Sequence, residues 1–406
     1  MLTPRLLSLS HVLCFAVSLN NGIRLPPLGW SSWYGFTQYI NETLIREIGD
    51  GLVHFGLSDV GFTNVWIDDG YALPRDNVTH KVTVDPVAFP SGMRNLSDYL
   101  VAKGLSLGVY TSMGPLTCLG YQPTQPPRPG SCGYEVIDAD TYVHDWNVSQ
   151  VKDDGCGSCP QHDPFVAMRD ALNATGKPVL FTIHGCVDPG CDFGDVANMW
   201  RTGGDLYSSN YAMWTNRLDL ATTPQQAALT GPGSLPDPDF LEVGYSPRSI
   251  RSQSQSPLEQ RSMFTMWAAL PTGLILSADT RVWSNGLDDY TLETLTNTEI
   301  IAINQDPAVI PMRPVFNESG IQVWKRPLAT GNLAIVFFFR GDEAGPIPDP
   351  PAVEVVSVQW ASLGLSLSQP VKVRDLWNQT DLGVFTGSFA ANITQREARL
   401  YTFTLN

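Results

Sequence analysis

QVKDDGCGSC, Gln150–Cys159, sets a lysine, two adjacent aspartates and two cysteines at the end of an apolar-flanked segment. Two readings compete: a solvated, disulfide-tied loop, or the polar end of a buried strand. The surrounding pattern decides between them. From about Leu25 to Gln305, short β-rich segments alternate with helical periods, the mark of βαβ units around a parallel sheet. Strands are expected at Leu28–Trp33, Thr63–Ile67, Ser106–Thr111, Val148–Asp153, Val179–Ile183, Met199–Thr202, Leu235–Asp239 and Leu274–Ala278. Eight parallel strands suggest closure into a barrel, and Gln150–Asp154 then belongs to the fourth.

Amphipathic stretches lie between them. In NETLIREIGDGLVHFGLSDV, Leu44, Ile45, Ile48, Leu52 and Phe55 recur at helical spacing behind a polar start at Asn41. Further helices are expected at Asn95–Lys103, Asp138–Trp146, Pro164–Ala174, Pro257–Ala269 and Tyr290–Ile303. After Asn304 the helical period gives way to alternating patterns: IQVWKRP, NLAIVFFFR, VEVVSVQW, VKVRDLW and ARLYTFTLN. The expected fold is therefore α/β: a (β/α)8 TIM barrel over residues 24–308, followed by a C-terminal antiparallel β-sandwich over 309–406.

Composition narrows the function. A chain of 406 residues, 43% hydrophobic, can bury a large core. A net charge of -15, with only 25 Lys and Arg, argues against nucleic-acid binding, which rests on clustered cations. The opening MLTPRLLSLSHVLCFAVSLNNG reads as a signal peptide over residues 1–19, with Arg5 before an apolar run and small residues at Ala16 and Ser18. Eight N-x-S/T sequons, at Asn41, Asn77, Asn95, Asn147, Asn173, Asn317, Asn378 and Asn392, point to the same secretory route. No later apolar run has the length of a membrane span. Without Cys14, six cysteines remain: Cys118, Cys132, Cys156, Cys159, Cys186 and Cys191. Disulfides suit an oxidising compartment, while Cys156-x-x-Cys159 with Cys186 and Cys191 leaves zinc ligation as a competing reading.

Barrel enzymes carry their chemistry at the C-terminal ends of the strands. Those ends hold Trp33, Asp68, Asp69, Tyr110, Lys152, Asp154, Arg201, Asp205, Asp237 and Asp239. Residues two apart on a strand share a face, so Lys152 and Asp154 face one way and Asp153 the other. A lysine beside Asp154 keeps that carboxylate ionised and available as a nucleophile. Retaining glycoside hydrolysis needs a pair of carboxyl groups about 5 to 5.5 Å apart. Asp154 and Asp205 offer that pair from different strands. Trp33 and Tyr110 are flat surfaces on which a sugar face packs, whereas Trp66, inside an apolar strand, belongs to the core.

The chain resembles glycoside hydrolase family 27, the α-galactosidases and α-N-acetylgalactosaminidases of the melibiase clan. The resemblance runs in order through LPPLGWSSW, WIDDGY, DPVAFPSGM, KGLSLGVYTSMG, PGSCGYEVIDADTYVHDW, KDDGC, WRTGGD, GPGSLPDPDFLEVG, IIAINQDP and VRDLWNQTDLGVFTGSF. It implies that Asp154 is the nucleophile and Asp205 the acid/base. It places sugar contacts on Trp33, Asp68, Asp69, Tyr110, Lys152, Arg201 and Asp239. It also implies a Cys118–Cys156 disulfide, leaving Cys132–Cys159 and Cys186–Cys191 as the simplest remaining pairs. No metal or organic cofactor is required, and the substrate is a galactose-terminated oligosaccharide, glycolipid or glycoprotein. The expected location is secreted, or lysosomal or vacuolar; a homodimer stays open.

Departures from the family pattern matter as well. W-S-S-W replaces W-N-S-W, Asp153 replaces an aromatic residue, and Ile183-His184-Gly185-Cys186 stands where the family has C-E-W. The glutamate that reads the sugar C2 hydroxyl is thus absent, and His184 could point into the pocket or serve the fold. Alternatives are the same chemistry on α-N-acetylgalactosaminides or β-L-arabinopyranosides, a non-catalytic galactose-binding homologue, and a metal-dependent hydrolase built on Asp68, Asp69, Asp237 and Asp239.

Overall fold

Eight parallel strands form one curled sheet in the computed structural model, which describes residues 21–185, 193–206, 210–245, 255–285, 288–343 and 347–405. They are β1 (Leu28–Ser31), β2 (Asn64–Trp66), β3 (Ser106–Ser112), β4 (Gln150–Asp154), β5 (Leu180–His184), β6 (Met199–Arg201), β7 (Leu235–Asp237) and β8 (Leu274–Leu276). From β1 to β7 each pairs with the next in chain order, and β1 also pairs with β8. The remaining gap is bridged just past β7, where Leu241 pairs in parallel with Leu276 and its N–H donates to the Ile275 carbonyl at 2.8 Å. The strands are short apolar runs because both faces are covered, by lumen side chains inside and helices outside.

Capping chemistry sets the helix starts. The Asn41 side chain accepts from Leu44 N at the head of α1 (Glu42–His54). The next helix, α2, covers Gly92–Val101. Asp163 caps α3 (Pro164–Ala174), which carries proline in its first turn. Helix α4 (Tyr211–Ala221) has little one-sided apolar character and is absent from the sequence expectation. Ser256 and Glu259 close a reciprocal capping box on α5 (Pro257–Ala269). The helix expected over Tyr290–Ile303 is two, α6 (Asp289–Thr296) and α7 (Thr298–Asn304). Asn297 leaves the helical backbone between them and accepts from Glu299 N and Ile300 N. Likewise the helix expected at Asp138–Trp146 begins earlier, at Glu135, and widens into a π-turn over Thr141–Asp145.

The C-terminal unit contains β9 (Arg313–Glu318), β10 (Ile321–Pro327), β11 (Leu333–Phe339), β12 (Val353–Gln359), β13 (Val371–Asp375), β14 (Thr380–Phe385), β15 (Ser388–Thr394) and β16 (Ala398–Leu405). Six form an antiparallel sheet in the order β9-β10-β11-β16-β13-β14, and β12 pairs with β15. Val356, Val358, Phe389 and Ile393 of that pair share a core with Ile335, Phe337, Val373, Tyr401 and Phe403 of the sheet.

Strand β11 is buried throughout because it serves two cores. Leu333, Ile335, Phe337 and Phe339 face the sandwich interior, while Ala334, Val336 and Phe338 join the barrel core. Phe338 stacks on Trp214 of α4, with ring centroids 6.1 Å apart and 18° between planes. Each large apolar side chain so buried stabilises by roughly 1.5–3 kcal/mol. Among the described residues no helix is long and apolar enough to cross a membrane. The segment expected as a signal peptide lies outside the described residues.

Candidate active site

The register of three adjacent parallel strands builds one wall of a pocket. Tyr110, Lys152 and Thr182 lie side by side on β3, β4 and β5, and two residues further on Ser112, Asp154 and His184 do the same. The backbone at Asp154 is held tightly: its carbonyl accepts from Met113 N at 2.8 Å and Ser112 Oγ at 2.9 Å. Gly155 N donates to the His184 carbonyl at 2.8 Å, and a Cβ on Gly155 would collide with the Gly185 backbone.

The resulting cavity has a volume of about 390 Å³, on the scale of small-molecule sites. Trp33, Asp68, Asp69, Tyr110, Lys152, Asp154, Arg201, Asp205 and Asp239 all line it. So do Tyr34, Cys118, His184 and Phe240, which sequence reasoning passed over or left open. Tyr34 and Phe240 directly follow residues it had marked, but an aromatic residue at a strand end carries no signal separating lining from core. Trp66 is buried in the barrel core, as its apolar strand suggested.

Lys152 Nζ donates to Asp68 Oδ2 at 2.8 Å and lies 5.2 Å from the centre of the Tyr110 ring. Burial works against its charge, but Asp68 and Asp154 outweigh it and keep Lys152 firmly protonated. On Asp154, burial favours the neutral acid. Lys152, His184 and the Tyr110 hydroxyl reverse that and hold the carboxyl well below its ordinary range. Tyr110 Oη donates to Asp154 Oδ2 at 2.9 Å, whereas Oδ1 accepts no well-aligned hydrogen bond. Asp154 therefore presents one oxygen tethered by Tyr110 and another, Oδ1, that faces His184 Nδ1 at 3.2 Å.

Asp205 lies across the pocket, its Oδ1 3.2 Å from Arg201 Nη1. Burial pushes its carboxyl up, and Arg201, Lys152 and His184 together pull it below the usual value. His184 Nδ1 stands 3.2 Å from Asp154 Oδ1 and 3.8 Å from Asp205 Oδ1. One ring atom thus lies at hydrogen-bond distance from Asp154 and within 4 Å of Asp205.

Asp69 is driven up to about 6 by burial. Its Oδ2 accepts from Leu119 N at 2.9 Å, and Oδ1 has no partner in the protein. Asp239 also lines the pocket, and its carboxylate is heavily engaged. Oδ2 accepts from Tyr34 Oη, from Arg201 Nη2 at 2.8 Å and from Leu206 N at 2.8 Å; Oδ1 accepts from Phe240 N at 2.8 Å. Its backbone sits at φ 91°, a strained conformation typical of sites fixed by function. Asp239 thereby fastens Arg201 and the backbone beside Asp205. Asp237 lies deeper, accepting from Asp239 N at 2.8 Å.

Two disulfides brace the rim: Cys118–Cys156 and Cys132–Cys159. Cys156 and Cys159 are thus tied to different partners and do not act as a thiolate pair, which removes the zinc reading. The Cys186–Cys191 pair lies outside the described residues. Among the described residues the one clustering of potential metal ligands is Glu135, Cys159 and His162, and its sulfur is already bonded to Cys132. Asp68, Asp69, Asp237 and Asp239 do not converge on a common point there. Lys152 neutralises the first, and Arg201 the last.

Comparison with known proteins places this architecture. The profile of the alpha-galactosidase A family matches residues 26–306, and that of the alpha-galactosidase C-terminal β-sandwich domain matches residues 318–403. The chain belongs to glycoside hydrolase family 27. It is 33% identical to alpha-galactosidase 2 of Arabidopsis thaliana over 95% of this chain and 91% of that protein. It is also 33% identical to human alpha-N-acetylgalactosaminidase, over 83% of each chain. The crystal structure of alpha-galactosidase I from Mortierella vinacea superposes with a TM-score of 0.82 at 26% identity, covering 95% of this chain and 99% of that one. The protein is a glycoside hydrolase with the barrel and sandwich of its family.

Proposed function

We propose that this family 27 enzyme is a secreted, retaining exo-α-galactosidase. One observation carries the reading: Asp154, held ionised, faces the same His184 imidazole as Asp205 in a pocket of monosaccharide size. In the first step Asp154 Oδ1 attacks the anomeric carbon. The glycosidic C–O bond breaks, and the proton on Asp205 passes to the leaving oxygen. Charge on Asp154 is thereby consumed in the galactosyl ester. In the second step a water attacks the same carbon, Asp205 accepts its proton, and the Asp154 carboxylate leaves. Lys152, Asp68 and the unpartnered Oδ1 of Asp69 offer donors and acceptors to the sugar hydroxyls. Trp33 and Tyr110 supply apolar walls.

The test is direct. Asp154→Asn and Asp205→Asn should each abolish hydrolysis of an aryl α-galactoside while the fold persists by circular dichroism. NMR of the wild-type reaction should show α-galactose as the first product. An inverted first product, or full activity in either variant, overturns the reading.

A second reading keeps the chemistry and changes the sugar, since a human relative at 33% identity is an alpha-N-acetylgalactosaminidase. A panel of aryl α-galactoside, α-N-acetylgalactosaminide and β-L-arabinopyranoside separates the two. The secretory assignment draws support from the sequons, because all eight asparagines are exposed, and from the two disulfides. Peptide mapping after glycosidase treatment checks it; unmodified asparagines in protein secreted from its native host would overturn it.

A further inference from the structure

His184 occupies the point where the two carboxylates approach each other. The register that fixes Asp154 also fixes it, for the two residues pair across β4 and β5 and Gly155 N binds the His184 carbonyl. Gly185 follows with the Phe165 ring packed against its backbone, so close that a Cβ there would lie 2.1 Å from it. Its side chain is only 19% exposed. The stronger cations of the pocket already have close carboxylate partners, Lys152 with Asp68 and Arg201 with Asp239. Arg201 also reaches Asp205, but neither cation makes a close contact with both reacting carboxylates.

We infer that His184 is a positioning residue shared by the nucleophile and the acid/base, holding their facing oxygens in register from one imidazole nitrogen. Two carboxylates side by side repel, and a polar N–H edge between them lets both approach the same carbon. The same contact carries an electrostatic consequence. A donor beside Asp205 favours its ionised form, whereas the first step needs that group protonated. His184 therefore limits how far up the pH scale the acid stays loaded. Other charged or titratable groups facing this point are Lys152 on β4, Tyr110 on β3, Arg201 on β6 and Asp237 on β7.

The inference rests on the hydrolase reading of Asp154 and Asp205, and on α-galactoside only as the choice of probe. Wild type, His184→Leu and His184→Asn are compared on an aryl α-galactoside across pH, with circular dichroism confirming the fold. Loss of one preorganised polar group at the reacting carboxylates should lower kcat by about 10- to 100-fold in His184→Leu while KM moves within a few-fold. The alkaline limb of kcat/KM should move to higher pH. His184→Asn, whose amide nitrogen falls near the place of Nδ1, should recover part of the rate. An unchanged kcat and pH profile overturns the inference. So does a loss that vanishes on a 2-deoxy-galactoside, because His184 would then be reading the substrate. If the wild type hydrolyses a different glycoside of the panel, the α-galactosidase reading fails, and the same comparison on that glycoside still decides the role of His184.

Discussion

Lys152 and Asp68, 84 residues apart in the chain, meet at 2.8 Å on the pocket floor, Asp68 buried and Lys152 half-buried. Neither charge is tolerable there alone. Removing one partner from a buried pair costs about 3–5 kcal/mol, because the other is left uncompensated. Lys152→Met should therefore lower stability by that order and raise Asp154 toward its ordinary titration range. The double variant Lys152→Met/Asp68→Asn should regain most of the stability and none of the activity. Denaturant unfolding alongside kcat/KM completes the cycle.

Tyr110→Phe deletes the donor to Asp154 Oδ2 and keeps the ring. Hydrogen bonds to charged groups are worth about 1.5–3 kcal/mol, so kcat/KM should fall about 10- to 100-fold. The acidic limb of the rate profile should move to higher pH, since Asp154 loses one of the contacts that favour its ionised form. Steady-state kinetics from acidic to neutral pH reads both effects.

Asp69 titrates at about 6 in the folded protein, against 3.8 as its reference value. A carboxyl raised by folding contributes most at low pH, and that contribution is lost as pH climbs between the two values. The gap of about two units corresponds to at most ~3 kcal/mol. Asp154 and Asp205 act in the opposite sense: both are depressed, so their contribution disappears as pH drops below the ordinary carboxylate range. Thermal stability should peak between about pH 4 and 6, and Asp69→Asn should flatten the decline on the neutral side. Melting curves across pH check the shape.

Asp153 faces away from the lumen, fully buried, and neither of its carboxyl oxygens has a hydrogen-bond partner. Burial, with Asp154, Glu135 and Asp138 nearby, drives it far up and keeps it neutral. Asp153→Val should stabilise by about 1–3 kcal/mol at neutral pH, since an unpaired buried polar group is removed from a strand that suits a β-branched side chain. The gain should shrink toward pH 4, where the unfolded chain also carries a protonated acid. Denaturant unfolding at both pH values measures it, with activity within a few-fold of wild type.

The sequence made the barrel strands legible because each is a short apolar run between helical periods; expected and observed bounds mostly differ by one or two residues. Edge strands were harder. Arg313–Glu318 and Thr380–Phe385 are largely exposed and lack a clean alternation, so nothing marked them. Lys152 and Asp154 could be placed on one face from parity alone. The position of His184 between two carboxylates could not, because it depends on how the backbone after β6 carries Asp205 across the pocket. Asp239 adds a role that parity could not show: besides lining the pocket, its carboxylate ties Tyr34, Arg201, Leu206 and Phe240 together.

Strand β11 gives Ile335 and Phe337 to one interior and Val336 and Phe338 to the other. A cut between the two units would strand one row of these side chains in water whichever half kept it. The C-terminal half is therefore no detachable accessory. A truncated catalytic unit would inherit an oily wound on its flank, and swapping in a foreign sandwich would succeed only if the donor reproduced the alternate face.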